Sequence, residues 1–470
     1  MGKFRDLFTP RDMSQGTPWK RIAEFAFPLL IGNFAQQLYN TVDAVVVGNS
    51  RWGYTALASV GNASPVLNLL LALFVGIATG AGILVSQYFG AKDKESLSTT
   101  IGNCITITGI ASVVIMIIGP LITGPMLRAL GTLPSMFDGC RAYLNIFFIG
   151  IAGFFYYNIF AGILRGLGDS FSALLFLMIT SVINIFLDLA FVDKMGVAGV
   201  ALATIIAQFI SAILCMRKIL KLKDVFTLRK TDLKINGEFT RRIIQLGLPS
   251  GISQAIFSLA MMVVQRLINS FGDEMFVAAN VMVMRVDGYA MLPNFSFGQA
   301  MGTYAGQNIG AGRLDRLKEG TKQGLIMSVS TALVLTPLVL LFGPYLMRLF
   351  TPEQELIRIS MSMMYIIAAG YIAMAASQVL QGVMRGAGDT LTPMWIGFST
   401  TIVFRIPIAY TMVYLTKKWG LPVLTQEKMV FLSLLCAWVA GLIITIIVFR
   451  TGKWKKKINK EFLRESDYLE

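Results

Sequence analysis

The chain contains no histidine among its 470 residues. Nucleophilic catalysis of the Ser-His or Cys-His kind is therefore excluded, and proton handling falls to carboxylates. Cysteine is almost as scarce: Cys104, Cys140, Cys215 and Cys436 are scattered without CxxC spacing, which suggests neither a disulfide framework nor a zinc site. They read as packing residues. Charge is the third shortage, with 14% of residues charged against 55% hydrophobic and a mean hydropathy of +0.66. Soluble domains carry roughly a quarter charged residues, so this composition belongs in lipid.

Apolar runs occupy 18–48, 55–86, 96–123, 137–162, 171–192, 197–219, 242–270, 275–306, 321–347, 355–382, 391–415 and 428–449. Nearly all exceed the roughly 18 to 20 residues needed to cross a hydrocarbon core. Lipid offers the backbone no hydrogen-bond partners, and the runs lack period-two alternation, so a helical bundle is expected and a barrel is not. The fold class is an all-α integral membrane protein of twelve transmembrane helices. The polar stretch from Gly2 to Arg21 leads into a span too long for a signal-peptide core and has no small-residue cleavage site, so no cleavable signal is expected.

A net charge of +15 could point to nucleic acid, but its distribution points elsewhere. With the N-terminus inside, most of the 41 lysines and arginines fall in the tails and inward loops, while Arg266, Arg285 and Arg405 lie within spans. The positive-inside rule then puts both termini in the cytoplasm of a plasma, or bacterial inner, membrane. The basic charge is a topology signal and a contact for anionic membrane lipid, and no nucleic-acid partner is implied.

Comparing the chain with itself at an offset of about 220 reveals a repeat. Ile163-Leu-Arg-Gly-Leu-Gly-Asp-Ser170 returns as Val383-Met-Arg-Gly-Ala-Gly-Asp-Thr390, and Ser86-Gln-Tyr-Phe-Gly-Ala91 as Gly306-Gln-Asn-Ile-Gly-Ala311. Pro28 and Pro249 correspond within one residue. Locally, Arg-Gly-x-Gly-Asp reads as a helix-ending turn whose Asp caps the next helix. Six spans per half make the repeat parallel, with a substrate site expected where two pseudo-symmetric six-helix lobes meet and alternating access by rocking. The expected organisation is an N-terminal segment 1–17, a first lobe 18–219, a cytoplasmic linker 220–241, a second lobe 242–450 and a basic tail 451–470.

At the end of the first span stands Tyr39-Asn-Thr-Val-Asp43-Ala-Val-Val-Val-Gly48, and the fifth carries Asn184-Ile-Phe-Leu-Asp188-Leu-Ala-Phe. Together with Gly199-Val-Ala-Leu-Ala-Thr204 and the two repeated motifs, this ordered set resembles the multidrug and toxic compound extrusion (MATE) family over roughly residues 20 to 450. The likeness is to its DinF-like or MepA-like bacterial branch. The resemblance implies export of cationic or amphipathic compounds driven by a Na⁺ or H⁺ gradient, with no enzymatic step. Matching Pro28 to the family's first-helix proline implies a hinge that responds to Asp43; its plainer reading is a static kink.

The residues support a cation site independently. An aspartate at membrane depth costs on the order of 2.5–3.5 kcal/mol on insertion scales, so two in one half need a reason. Asp43 and Asp188 lie about 7.5 and 6 Å from the outer ends of their spans, and Asn184 and Thr204 about 12 Å in, at 1.5 Å per residue. Asn184 and Asp188 share a helix face, as do Tyr39 and Asp43. Two carboxylates, an amide, a hydroxyl and a phenol suit a small hard cation, and a coupled carboxylate pair suits a proton equally well. The coupling ion, Na⁺ or H⁺, stays open here. No other metal and no organic cofactor are expected.

The second lobe is less informative. Asp287 is either a salt-bridge partner to another helix or a contact for cationic substrate. Gln265 and the uncharged run from Tyr365 to Gln381 stand where some family members carry acids, which favours coupling through the first lobe. The 25 methionines and 32 phenylalanines suit an adaptable cavity for small organic cations and amphipaths. A monomer is expected. A major-facilitator antiporter fits the repeat motifs poorly. A lipid-linked oligosaccharide flippase of the same broad superfamily is the runner-up reading, against which stand the intramembrane carboxylates and only three intramembrane arginines. A membrane-embedded enzyme is disfavoured because no nucleophile–base or metal constellation is visible.

Overall fold

A computed structural model describes residues 9–48, 53–129, 132, 134–348 and 352–462; the side chains of 39–48, 53–62, 64–66, 69, 129, 135 and 460 lie outside that description. The described chain is helical, and the expected spans are its elements. In the first half these are α1 (Pro18–Gly48), α2 (Gly53–Ala91), α3 (Lys94–Ala129), α4 (Pro134–Ile149), α5 (Ile151–Gly166), α6 (Ser170–Met195) and α7 (Val197–Leu220). The second half has α8 (Gly237–Asn269), α9 (Glu274–Gly310), α10 (Leu314–Arg348), α11 (Gln354–Ala368), α12 (Gly370–Gly386), α13 (Leu391–Phe398), α14 (Ile406–Lys418) and α15 (Val423–Arg450). A π-helical stretch, Ser399–Arg405, joins α13 to α14.

Two expected spans are broken. Helices α4 and α5 meet at 54° about Gly150, and α11 and α12 at 45° just before Gly370. Only glycine fits at the first break, because a Cβ on Gly150 would lie 2.2 Å from the Ile205 side chain. Among the described residues nine helices are long and apolar enough to span a membrane, or eleven with each bent pair taken as one. Helix α1 completes the set of twelve.

The chain forms two compact units, Met1–Asp12 with Phe27–Gly251 and Met13–Ala26 with Ile252–Glu470. The boundaries inside α1 and α8 fall beside Pro28 and Pro249. In the first unit, the start of α8 is held by backbone-to-backbone approach: a Cβ on Gly76 would lie 2.2 Å from Gly251 N, and one on Gly80 2.4 Å from Gly247 N. In the second unit, the segment before α1 is held by the Gln-x-x-Gly-Ala motif. Met13 N donates to Gln307 Oε1 at 2.8 Å, and Asn308 Nδ2 donates to Met13 O at 3.3 Å. The first unit seats its linker on α3, where Asn236 N donates to Asn103 Oδ1 (2.7 Å) and Thr106 Oγ1 to Leu233 O (2.6 Å).

The Arg-Gly-x-Gly-Asp repeats are the turns their composition suggests. Gly168 and Gly388 have φ of +82° and +92°, conformations that only glycine enters without strain. Asp169 accepts from Ser172 N at 2.9 Å, and Asp389 from Thr392 N at 3.1 Å. Burial raises the Asp169 carboxyl above its ordinary range, against the pull of the Ser172 bonds and of Lys218 Nζ at 3.7 Å. In each unit the second span packs on the bent one through small residues. A Cβ on Gly162 would lie 2.5 Å from Ala78 O, and one on Gly382 2.3 Å from Gly298 O.

Candidate functional site

Helix α6 buries a stripe at four-residue spacing, Thr180, Asn184, Asp188 and Val192, although most of its remaining surface is apolar and half-exposed. Asn184 is 1% and Asp188 0% exposed. Four-residue spacing keeps these side chains on one face, so one rotation of the helix buries all of them. Helix α7 returns after Gly196, which has φ of +61°. Asp188 and Thr204 both stand eight residues from Gly196, and Asn184 and Gln208 both twelve, which places each pair level across the hairpin. The contact of Thr180 Oγ1 with Ser211 Oγ at 2.5 Å, sixteen and fifteen residues from Gly196, holds the hairpin to that register within one residue.

Of the five residues expected to bind a cation, the structure brings Asn184, Asp188 and Thr204 to one hairpin. Thr204 is half-buried, and its hydroxyl donates to Val200 O at 3.0 Å, leaving the oxygen lone pairs free to accept or to coordinate. The side chains of Tyr39 and Asp43 lie outside the described residues; their backbone is helical, and Pro28 sits within the same helix, α1. Asn184 and Asp188 both have further interactions, so neither is without a partner. Helix α6 continues to Met195, three residues past the expected end, so both lie about 4.5 Å deeper than the sequence suggested. Thr180, Gln208 and Ser211 went unnoticed in the sequence, although Thr204, Gln208 and Ser211 recur with helical periodicity. The oxygen Oε1 of Gln208 is buried and accepts no hydrogen bond.

The second unit holds a different polar group. Asp287 in α9 is half-buried with a buried Oδ1 that makes no hydrogen bond. Among the described residues Asp287 makes no ion pair within 4.0 Å; its charged neighbour on another helix is Arg405, acting electrostatically, with the Tyr371 phenol adjoining the carboxylate. The Tyr371 hydroxyl donates to Met364 Sδ at 3.6 Å, so the phenol stands between sulfur and carboxylate. Tyr371 belongs to the uncharged run from Tyr365 to Gln381, where nothing in the sequence sets it apart. It also lines a small cavity with Ala290, Pro293, Asn294 and Thr336. Gln265, standing where an acid was looked for, joins Asn269 (2.9 Å) and Asn280 (3.1 Å) in an amide network. Among the described residues no cluster of three or more Cys, Asp or Glu residues has metal-binding geometry.

A duplicated bundle of broken and continuous membrane helices, with carboxylates, amides and hydroxyls buried at depth, defines a multi-pass membrane transporter. A family model described as MatE matches residues 28–190 and again 249–411, once in each half. The chain belongs to the MATE family. The probable multidrug resistance protein YoeA of Bacillus subtilis is 30% identical over 86% of this chain and 89% of its own length. The probable multidrug resistance protein NorM of Thermotoga maritima is 26% identical over 95% and 96%. A solved outward-facing conformation of a multidrug resistance MATE family transporter of the MOP superfamily superposes with a TM-score of 0.87 at 22% identity, covering 95% of this chain and 99% of that one. That likeness speaks for the fold.

Proposed function

We propose that this transporter is a Na⁺- or H⁺-coupled antiporter that exports small organic cations, drugs or amphipathic metabolites from the cell by alternating access. It works as a monomer in the plasma membrane with both termini cytoplasmic. The observation that carries the reading is the buried Asn184–Asp188 face of α6, level with Thr204 and Gln208 on α7. Oxygen donors of this kind hold a hard monovalent cation or, through the carboxylate, a proton. Asp43 and Tyr39, one turn apart on α1, supply the second carboxylate and a phenol. Asp287 attracts the cationic part of the substrate, and α1 flexes at Pro28 as the coupling ion comes and goes. Relatives named as multidrug resistance proteins support drug-like substrates.

A coupling ion drives transport only through different affinities for the two conformations. Purified protein in liposomes, loaded with a fluorescent organic cation and given either a Na⁺ or a pH gradient, should show efflux with one of them. Asp43→Asn and Asp188→Asn should each abolish the gradient-driven component while leaving dye binding measurable. Full gradient-driven efflux in both variants would remove the coupling site from the first lobe.

A further inference from the structure

The export reading leaves Arg405 without a role. It is 4% exposed, stands at the end of the π-helical stretch, and lies thirteen residues from the Lys418 end of its span. Asp287 lies thirteen residues from the Glu274 end of α9. At 1.5 Å per residue both are about 20 Å from the same face of the second unit, close to mid-membrane. The two charges act on one another electrostatically, yet no ion pair within 4.0 Å joins them.

A buried arginine whose purpose is to hold the fold pairs its planar fork with a carboxylate. Arg405 does not. Its Nη1 rests 3.1 Å from the Met261 sulfur, a weak acceptor, and its Nε donates to nothing. The carboxylate at the same depth is in the same condition, with Oδ1 of Asp287 buried and unbonded. Both sites sit at irregular backbone: Arg405 closes a π-helical stretch, and Tyr371, adjoining the carboxylate, is the second residue after the 45° break. Such interruptions within membrane helices concentrate where a ligand is handled. Ala290 and Asn294, three and seven residues on from Asp287, share its helix face and line the small cavity with Tyr371.

We propose that Arg405 and Asp287 form a two-charge recognition site for amphoteric substrates, in which Arg405 binds a carboxylate and Asp287 binds an amine on the same molecule. Resting on the export reading, this narrows the substrate class. A ligand with both charges satisfies Nε and Oδ1 together. A permanent cation satisfies only the acid.

The test compares a rhodamine bearing a free carboxylate, a zwitterion, with its methyl ester, a permanent cation. Gradient-driven efflux of each is measured from proteoliposomes of wild type, Arg405→Gln, Arg405→Lys and Asp287→Asn. Arg405→Gln should lower efflux of the acid by about tenfold or more and leave the ester within about twofold, as loss of one charge-assisted contact predicts. Arg405→Lys should restore part of the acid's efflux. Asp287→Asn should weaken both dyes. If Arg405→Gln lowers acid and ester together, Arg405 is a structural residue and the proposal falls. Should that variant fail to fold, wild type alone decides: a preference for the ester over the acid of about a hundredfold or more overturns the site. Efflux of neither dye under any imposed gradient refutes the antiport reading itself, a result distinct from loss of the acid alone.

Discussion

Replacing Gly382 or Gly386 with alanine tests how the second unit is held together. The added methyl at 382 would stand 2.3 Å from Gly298 O, and at 386 2.3 Å from Gly302 O, where ordinary contact begins at 3.4 Å. Either substitution therefore demands about 1.1 Å of separation between α9 and α12. The obstructing atom is backbone in both cases, so no side chain can swing aside. Overpacking of this kind costs about 1–3 kcal/mol, and a backbone obstacle argues for the upper part of that range. Alanine is intrinsically the better helix former by about 1 kcal/mol, which offsets part of the cost. Gly397 in α13 supplies the control, because a Cβ there meets nothing within 4 Å and only the propensity gain remains. Thermal unfolding of purified variants in detergent should show Gly382→Ala and Gly386→Ala below wild type and Gly397→Ala at or above it. Equal midpoints for all three would refute the close-packed seam. Gly162→Ala, 2.5 Å from Ala78 O, should repeat the loss in the first unit.

Pro28→Ala should slow or uncouple transport with near-normal expression, since a straightened α1 regains one backbone bond and loses its flexure; unchanged efflux rates would reduce Pro28 to a static kink. Gln307→Ala leaves the buried Met13 N–H without its acceptor, a penalty of about 1–3 kcal/mol, and should expose the segment before α1. Maleimide labelling of Ser14→Cys, 5% exposed in the parent, should speed up in the Gln307→Ala background, and an unchanged rate contradicts the clamp. Single cysteines at Lys230 and Lys418 should label from the cytoplasmic and outer faces respectively; labelling of both from one face would refute the proposed topology.

The twelve spans and the duplication were legible because lipid leaves a chain few options: each long apolar run must be helical, and a repeat at a fixed offset needs no structure to be seen. The breaks at Gly150 and before Gly370 were not, since hydropathy is continuous across them and the close approach of Ile205 to Gly150 joins residues far apart in sequence. On α6 the pair Asn184 and Asp188 announced itself by four-residue spacing. Gln208 and Tyr371 did not, because an uncharged polar residue in an apolar run signals nothing until its neighbours are known. Arg405 was visible as an intramembrane cation, but that its nearest acceptor is the Met261 sulfur required coordinates.

The unit boundaries beside Pro28 and Pro249 mean that the opening turns of α1 fold with the second unit and those of α8 with the first. Each unit thus includes a short helical segment that lies, in chain order, next to the other half. A gene cut within 221–236 would yield a first fragment lacking Gly247 and Gly251, the backbone that fills the space beside Gly76 and Gly80, and a second lacking the Met13 segment that occupies Gln307. Each fragment lacks a segment its own unit is built with, so co-expression of the two fragments, and not either alone, should restore transport activity.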